Sequence, residues 1–315
     1  MNMNESIFWQ EEIERKYNRK HIDRRIREEI DQNEDLQTKI QQGVELLEKY
    51  RSTAYTYYKK DVGIVPFDSK NRRVAQLAGL DIEAMVRQMF IGVAYCVRPV
   101  LFTSITAQMA LRLKFSDKRD AIATVAEMLA VLCLTDAFDI FKQGQMGSLE
   151  LVSRIPLSDE LMEFVENSEY LPPMICPPKE LTGNYSSGYL THTDSLVLGS
   201  GNHHEGDLCL DVLNTMNNVA LTLDVDFLRT YEEEPTFIIE NQDQADQWRR
   251  YKAQSARFYM LMVDYGNRFY LTHKVDKRGR IYAQGYHITT QGTAYKKAAI
   301  ELAHKEFIEV PEEFK

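Results

Sequence analysis

The sequence predicts a mainly α protein with short β segments. Apolar residues recur at helical spacing through much of the chain, while alternating apolar runs are few and short. Hydrophobic residues make up 44% of the 315 positions and charged residues 27%, enough apolar mass for a buried core.

Residues 5–60 read as one or two charged helices. Ile13, Tyr17, Ile22, Ile26 and Ile30 form the apolar stripe, between charged residues such as Glu14, Lys16, Arg24 and Glu28. A loop follows at Val65, Pro66 and Phe67. Residues 80–113 read as a helix interrupted near Arg98 and Pro99, and 118–143 as a second apolar helix rich in alanine. Residues 144–157 alternate like a short hairpin. A helix over 158–168 has Ser158 as its N-cap, with Asp159 and Glu160 in its first turn. Residues 171–201 hold four prolines and several glycines, but too many apolar side chains for a disordered linker. Helices resume over 207–230 and 242–266. Strand-like runs at 269–272 and 281–284 flank a charged turn, and a helix over 293–304 follows.

Composition narrows the function. The net charge of −9 excludes a generally basic nucleic-acid wrapper but permits a local basic face. Cysteines 96, 133, 176 and 209 are widely spaced and read as reduced core residues of a cytosolic protein. The N-terminus lacks the apolar stretch of a signal peptide, and acidic residues break the most apolar run, 121–141, so no membrane segment is expected. The sequence shows no GxSxG, Walker loop or HExxH. Leu198 to Gly201 lacks the context of a dinucleotide loop. His203, His204, Asp207 and Cys209 do not match a zinc spacing. Arg15, Arg19, Lys20, Arg24, Arg25 and Arg27 suggest a nucleic-acid-binding arm, but interleaved acids weaken its field, and a solvated helical hairpin is the plainer reading.

Charge is concentrated near the C-terminal end. Residues 247–280 contain nine Lys or Arg and two acids, a net +7 in an acidic chain. Such a segment suits an anionic ligand. It ends in Asp276-Lys277-Arg278-Gly279-Arg280-Ile281-Tyr282. A glycine between two arginines lets the backbone turn tightly, and the guanidinium groups fork onto phosphate oxygens, with Asp276 placed to orient one. Thr289, Thr290 and Gln291 add hydrogen-bonding groups beside Gly292.

These residues carry a resemblance. Phe269 to Tyr282, then Gln291-Gly292 and the expected helix over 296–303, resembles the segment around the T/DxxGR motif of single-subunit DNA-directed RNA polymerases, the phage and mitochondrial type. The proline-rich element 172–190, with Pro177-Pro178-Lys179, Thr182-Gly183 and Gly188-Tyr189, is similar to the one before that family's thumb. Residues 214–223 resemble the helix that opens the thumb, and 121–133 a helix of the N-terminal domain. The resemblance covers about 90–315.

It implies part of a right-hand polymerase: a reduced helical N-terminal domain over 1–200, a short thumb over 207–266 and the start of the palm over 267–315. Arg278 and Arg280 would hold the template or hybrid backbone, with Gly279 letting the chain pass close. Asp276, Tyr282 and Gln291 would lie beside them. Arg249, Arg250, Lys252 and Arg257 would face hybrid phosphates. In the family the catalytic aspartates lie well downstream of the Arg-Gly-Arg, and none is expected here. The chain therefore resembles the smaller subunit of a split, heterodimeric phage enzyme. A second subunit with palm and fingers would bring the aspartates and Mg²⁺. DNA template and nascent RNA would be ligands, an accessory promoter-recruitment factor a further partner, and the cytoplasm of the infected bacterial host the compartment. A non-catalytic nucleic-acid-binding or scaffold protein with a polymerase-like fold is the alternative.

Overall fold

The computed structural model describes residues 2–113, 115–142, 147–167, 170–199 and 201–306, apart from the side chains of 167 and 243. It is mainly helical with short strands. The chain divides into two compact units, residues 22–166 and residues 1–21 with 167–315. The proline-rich element 171–201 belongs to the second, together with 207–266 and 267–315. Among the described residues no helix is long and apolar enough to cross a membrane.

The unit 22–166 is helical. Its first helix, α2 (Arg19–Gln32), buries Ile22, Ile26 and Ile30 at four-residue spacing. Asn33 ends that turn and caps α3 (Glu34–Ser52), accepting from the Leu36 N–H at 3.1 Å. α4 (Asp68–Ala75) follows a hairpin of β1 (Thr56–Lys59) and β2 (Gly63–Pro66). Asp81 caps α5 (Ile82–Ala94), α6 spans Phe102–Ala110, and Asp117 caps α7 (Lys118–Leu132). Gly43 of α3 makes a close approach possible. A Cβ there would lie 2.9 Å from Leu132 and 3.1 Å from Val86. Phe90, Met128 and Leu129 fill the same core. Each such side chain contributes about 1.5–3 kcal/mol through burial.

Two expectations for the chain up to 157 need correction. The segment 5–60 holds three helices and the strand β1, not one or two helices, because α1 (Met3–Tyr17) ends at Asn18 and α2 at Asn33. The helix expected over 118–143 stops at Leu132. A 3₁₀ turn (Cys133–Thr135) and Asp136 at φ +59° redirect the chain into β4 (Phe138–Lys142). The alternation of Phe138, Ile140 and Lys142 with Asp139 and Phe141 is a strand pattern that the preceding alanines obscure. β4 pairs with β5 (Leu149–Ser153), which also pairs with β3 (Val100–Leu101). The expected hairpin thus starts earlier, and its residues 143–146 lie outside the described residues. α8 (Asp159–Asn167) starts as expected, with the Leu161 N–H donating to Ser158 Oγ at 3.3 Å.

The other unit begins with α1, whose capping box joins Asn2 and Glu5. Ser6, Gln10 and Glu14 lie on its buried face beside Ile13. The Glu14 carboxylate is fully buried. It accepts from the N–H groups of Leu190 and Thr191 at 2.8 Å each, from Thr191 Oγ1 at 2.6 Å and from Gln10 Nε2 at 3.0 Å. Gln10 Oε1 in turn accepts from the Ile175 N–H at 2.9 Å. Two polar side chains of one helix thereby anchor both ends of the proline-rich element.

That element is stitched to the centre of the unit through the backbone. Met174 and Tyr270 exchange hydrogen bonds, and Val275 bonds with Leu196 and Leu198. Short α9 (Leu210–Asn217) and α10 (Val225–Thr230) flank β6 (Leu221–Leu223), so 207–230 is not one helix. β6 pairs antiparallel with β9 (Ile300–Leu302). The final helix is accordingly only α12 (Ala294–Ala298), not 293–304. Residues 296–303 have strong helix formers, but pairing with β6 overrides that propensity. α11 (Gln242–Asp264) packs Phe258 and Met262 against Leu221, Phe269 and Ile288. Of the cysteines, Cys96 and Cys176 are buried and Cys133 is half-buried, but Cys209 is exposed and not a core residue.

His287 lies among aromatic rings, stacked on Phe258 and Tyr251 at 4.9 and 5.3 Å. Its Nδ1 bonds with Ser255 Oγ at 2.8 Å. Burial, and secondarily the Lys296 charge, lowers its pKa from 6.5 to about 4. The unfolded chain therefore takes up this proton first. The contribution of the neutral imidazole is complete above pH 6.5 and is lost as the pH falls towards 4. Both tryptophans, Trp9 and Trp248, report on this unit. Urea unfolding followed by tryptophan fluorescence is expected to show stability falling over that window, and His287→Phe is expected to reduce the fall. By the same measurement, Glu14→Ala, which strands buried donors, is expected to cost about 3 kcal/mol.

Candidate nucleic-acid interface

The arginine turn connects β7 (His273–Val275) to β8 (Ile281–Ala283), which pair antiparallel with Lys274 opposite Tyr282. The Gly279 N–H donates to the Asp276 carbonyl, and the Asp276 N–H to the Arg280 carbonyl, both at 2.9 Å. Gly279 has φ +78°, a conformation that costs a residue with a Cβ about 1–2 kcal/mol.

Asp276 organises the turn. Its Oδ1 accepts from the backbone N–H groups of Arg278 and Arg280 at 2.8 and 3.0 Å. Its Oδ2 accepts from Arg278 Nε–H at 3.1 Å and Nη2 at 2.9 Å and from Arg280 Nε–H at 2.9 Å, and forms an ion pair with Arg280 Nη2 at 2.8 Å. Lost hydration opposes ionisation of this carboxyl. The hydrogen bonds and charge of Arg280 outweigh that and hold its pKa below the usual carboxylate range. Asp276 thus positions both guanidinium groups, not one, and reduces their mutual repulsion. The two side chains remain 69% and 52% exposed. A guanidinium carries more N–H donors than one carboxylate can take, so each arginine keeps donors for an anion.

Tyr282 lies under Arg280, with the guanidinium carbon 5.6 Å from the ring centroid, within cation–π range. Gln291 braces the hairpin. Its Oε1 accepts from the Ala283 N–H and its Nε2 donates to the Ile281 carbonyl, both at 2.9 Å. The amide that the sequence suggested for ligand contact is engaged with the strand that carries Tyr282.

The other basic candidates lie on α11. Arg249, Arg250 and Arg257 are exposed, on the helix face opposite buried Ser255, Phe258 and Met262. Lys252 lies apart from them and pairs with Glu232 at 3.1 Å, while Arg249 pairs with Asp246 at 3.1 Å. The basic candidates thus fall in two groups, the turn anchored by Asp276 and the exposed face of α11, where Arg249 pairs with Asp246.

A cleft of about 420 Å³ lies at the base of the same hairpin. Sequence reasoning did not find it. Its walls come from residues 17–19, the proline-rich element and residues 272–274 and 283–286, all of one unit. Lys274 Nζ contacts Asp194 Oδ2 at 2.6 Å. Desolvation opposes ionisation of Asp194, but the Lys274 hydrogen bond and charge hold its pKa below the usual range. His192 Nδ1 lies 2.7 Å from Asn18 Nδ2, and burial lowers its pKa. Among the described residues, no three His, Cys, Asp or Glu side chains converge as a metal site. His203 instead bonds with Glu205 at 2.6 Å.

Comparison with protein-family profiles finds no match. In an alignment of 157 residues that covers 45% of the chain, it is 29% identical to a probable DNA-directed RNA polymerase of Gelasinospora sp. (strain G114). The match spans 18% of that protein. The similarity supports a relationship to DNA-directed RNA polymerases and carries no finer assignment.

Gly279→Ala tests the turn. Nothing lies within 4 Å of the added Cβ, so its cost is backbone strain alone. Chemical denaturation is expected to show a loss of about 1–2 kcal/mol. Gly279→Asn, which tolerates the left-handed region better, is expected to recover part of it.

Proposed function

We propose that this chain is the nucleic-acid-holding subunit of a DNA-directed RNA polymerase of the single-subunit phage type, split across two chains. The observation that carries the reading is the paired arginine turn, two exposed guanidinium groups fixed by one aspartate and a left-handed glycine. The sequence similarity to a probable DNA-directed RNA polymerase supports the polymerase part of this reading. In this reading residues 1–200 form a reduced N-terminal domain, 207–266 a short thumb and 267–315 the start of the palm. Residues 307–315 lie outside the described residues.

Arg278 and Arg280 hold the template or the RNA–DNA hybrid by its phosphates. Such contacts carry no sequence information, as a translocating enzyme requires. Arg249, Arg250 and Arg257 extend the basic track, with Lys252 beside it. Tyr282 and Gln291 support the turn. A second subunit carrying palm and fingers supplies the catalytic aspartates and Mg²⁺, and an accessory factor brings the assembly to promoters. The compartment is the cytoplasm of an infected bacterial host.

The test is co-purification with a subunit carrying the palm and fingers, followed by ribonucleotide incorporation on a single-stranded or bubble DNA template with Mg²⁺. Activity is expected in the complex and is expected to fall in Arg278→Ala/Arg280→Ala. That variant is also expected to lower the salt dependence of hybrid binding by roughly one to two phosphate equivalents. A stable complex that incorporates nothing on any template would favour the scaffold reading.

A further inference from the structure

The proline-rich element carries a concentration of positive charge that the arginine turn does not account for. Three lysines from separate segments of one unit meet on residues 190–194. Lys179 Nζ donates to the Leu190 carbonyl at 3.1 Å, Lys20 Nζ to the Thr193 carbonyl at 2.8 Å, and Lys274 Nζ to Asp194 Oδ2 at 2.6 Å. Lys274 is neutralised by its partner. Lys20 and Lys179 are not, because a carbonyl fixes an ammonium group without cancelling its charge. Both are exposed. Each ammonium has three N–H donors, and among the described residues only one of them is engaged. The nearby carboxylates are committed elsewhere. Asp194 holds Lys274, and buried Glu14 is surrounded by the donors of Gln10, Leu190 and Thr191. Glu180, exposed beside Lys179, forms no ion pair with it among the described residues.

Two like charges held in place with donors to spare suit an anion that meets both. Their carbonyl anchors are three residues apart, at most about 11 Å along the chain. That separation suits phosphates of one strand. We propose that Lys20 and Lys179, fixed on the loop 190–194, grip phosphates of the same nucleic-acid strand that the arginine turn holds. This inference rests on the polymerase reading and deepens it. The loop and the turn share one hydrogen-bonded frame. Leu196 and Leu198, just beyond Asp194, bond through the backbone with Val275, the residue before Asp276. A strand that leaves Arg278 and Arg280 therefore finds its next fixed cations on the segment paired with the same hairpin. Contacts of this kind go to phosphate alone and carry no sequence information.

The test measures binding of the full chain to fluorescently labelled single-stranded oligonucleotides of two unrelated sequences over a series of salt concentrations. Lys20→Ala/Lys179→Ala is expected to weaken both sequences equally. It is also expected to lower the slope of log affinity against log salt by about 1.4, two single-strand phosphate contacts at about 0.7 each. Lys20→Arg/Lys179→Arg keeps the charges and is expected to keep the slope. Asp194→Asn removes the negative charge opposite Lys274 and is expected to tighten binding and steepen the slope. Lysines that only brace the loop predict no such gain, so this variant decides the matter if the alanine pair does not fold. Arg278→Ala/Arg280→Ala is expected to weaken binding independently, with slope losses that add to those of the lysine pair. Binding that depends on the arginines but is indifferent to Lys20, Lys179 and Asp194 would overturn the lysine assignment and leave the polymerase reading standing. Failure of the wild type to bind either oligonucleotide, or an RNA–DNA hybrid, would overturn both.

Discussion

The unit that carries the candidate interface depends on one buried carboxylate. Glu14 has no exposed surface and accepts hydrogen bonds from Gln10, Leu190 and Thr191. A buried charge is tolerated only when donors surround it. Here two of those donors are backbone N–H groups of a proline- and glycine-rich segment with little regular structure of its own. The carboxylate therefore fixes a loop that its own sequence leaves underdetermined. The loop pairs with Tyr270 and Val275 through its backbone, next to the strands that bear the arginine turn. The chain of dependence runs from a helix face, through a loop, to a hairpin and its charged tip.

The tip repeats the principle at the surface. Two arginines separated by a single glycine repel, and a third group must hold them together. Asp276 does so with both oxygens, taking backbone donors on one and guanidinium donors on the other. The pair is thus arranged before any ligand arrives, which lowers the entropy lost on binding an anion. At Glu14 the acid–donor network is internal and saturated. At Asp276 it is external and leaves donors over.

Much of this was legible in the sequence. The Ile22, Ile26 and Ile30 stripe, the Ser158 cap and a charged turn ahead of Ile281 follow from spacing and residue type, and the structure has them, although the strand before the turn is His273–Val275 and not 269–272. The turn's arginines stood out because charge and glycine coincide there. What escaped shares a physical cause, dependence on partners distant in sequence. Residues 300–302 sit among helix formers and become a strand only because Leu221 to Leu223 lie beside them. Glu14 reads as one more charge on a solvated helix until loop residues 176 and 177 positions later close over it. Tyr170, His192 and Tyr286 meet in the cleft from separate segments, and no local pattern brings them together. Gln291 looked like a ligand contact because a free amide and a bracing amide have the same sequence.

The division of the chain has a consequence for its synthesis. Residues 1–21 belong with 167–315, while 22–166 form a unit between them. Helix α1 is therefore made before the unit 22–166 and waits for neighbours that are made after it. Gln10 and Glu14 remain hydrated until Ile175 and Thr191 have emerged, by which time the inner unit is complete and able to fold. The charged residues that keep α1 soluble during this interval, Glu11, Glu12, Arg15 and Lys16, lie beside the buried polar pair on the same helix. The helix is thus equipped for two successive environments, water while the nascent chain grows and a closed protein interior once its distant half arrives.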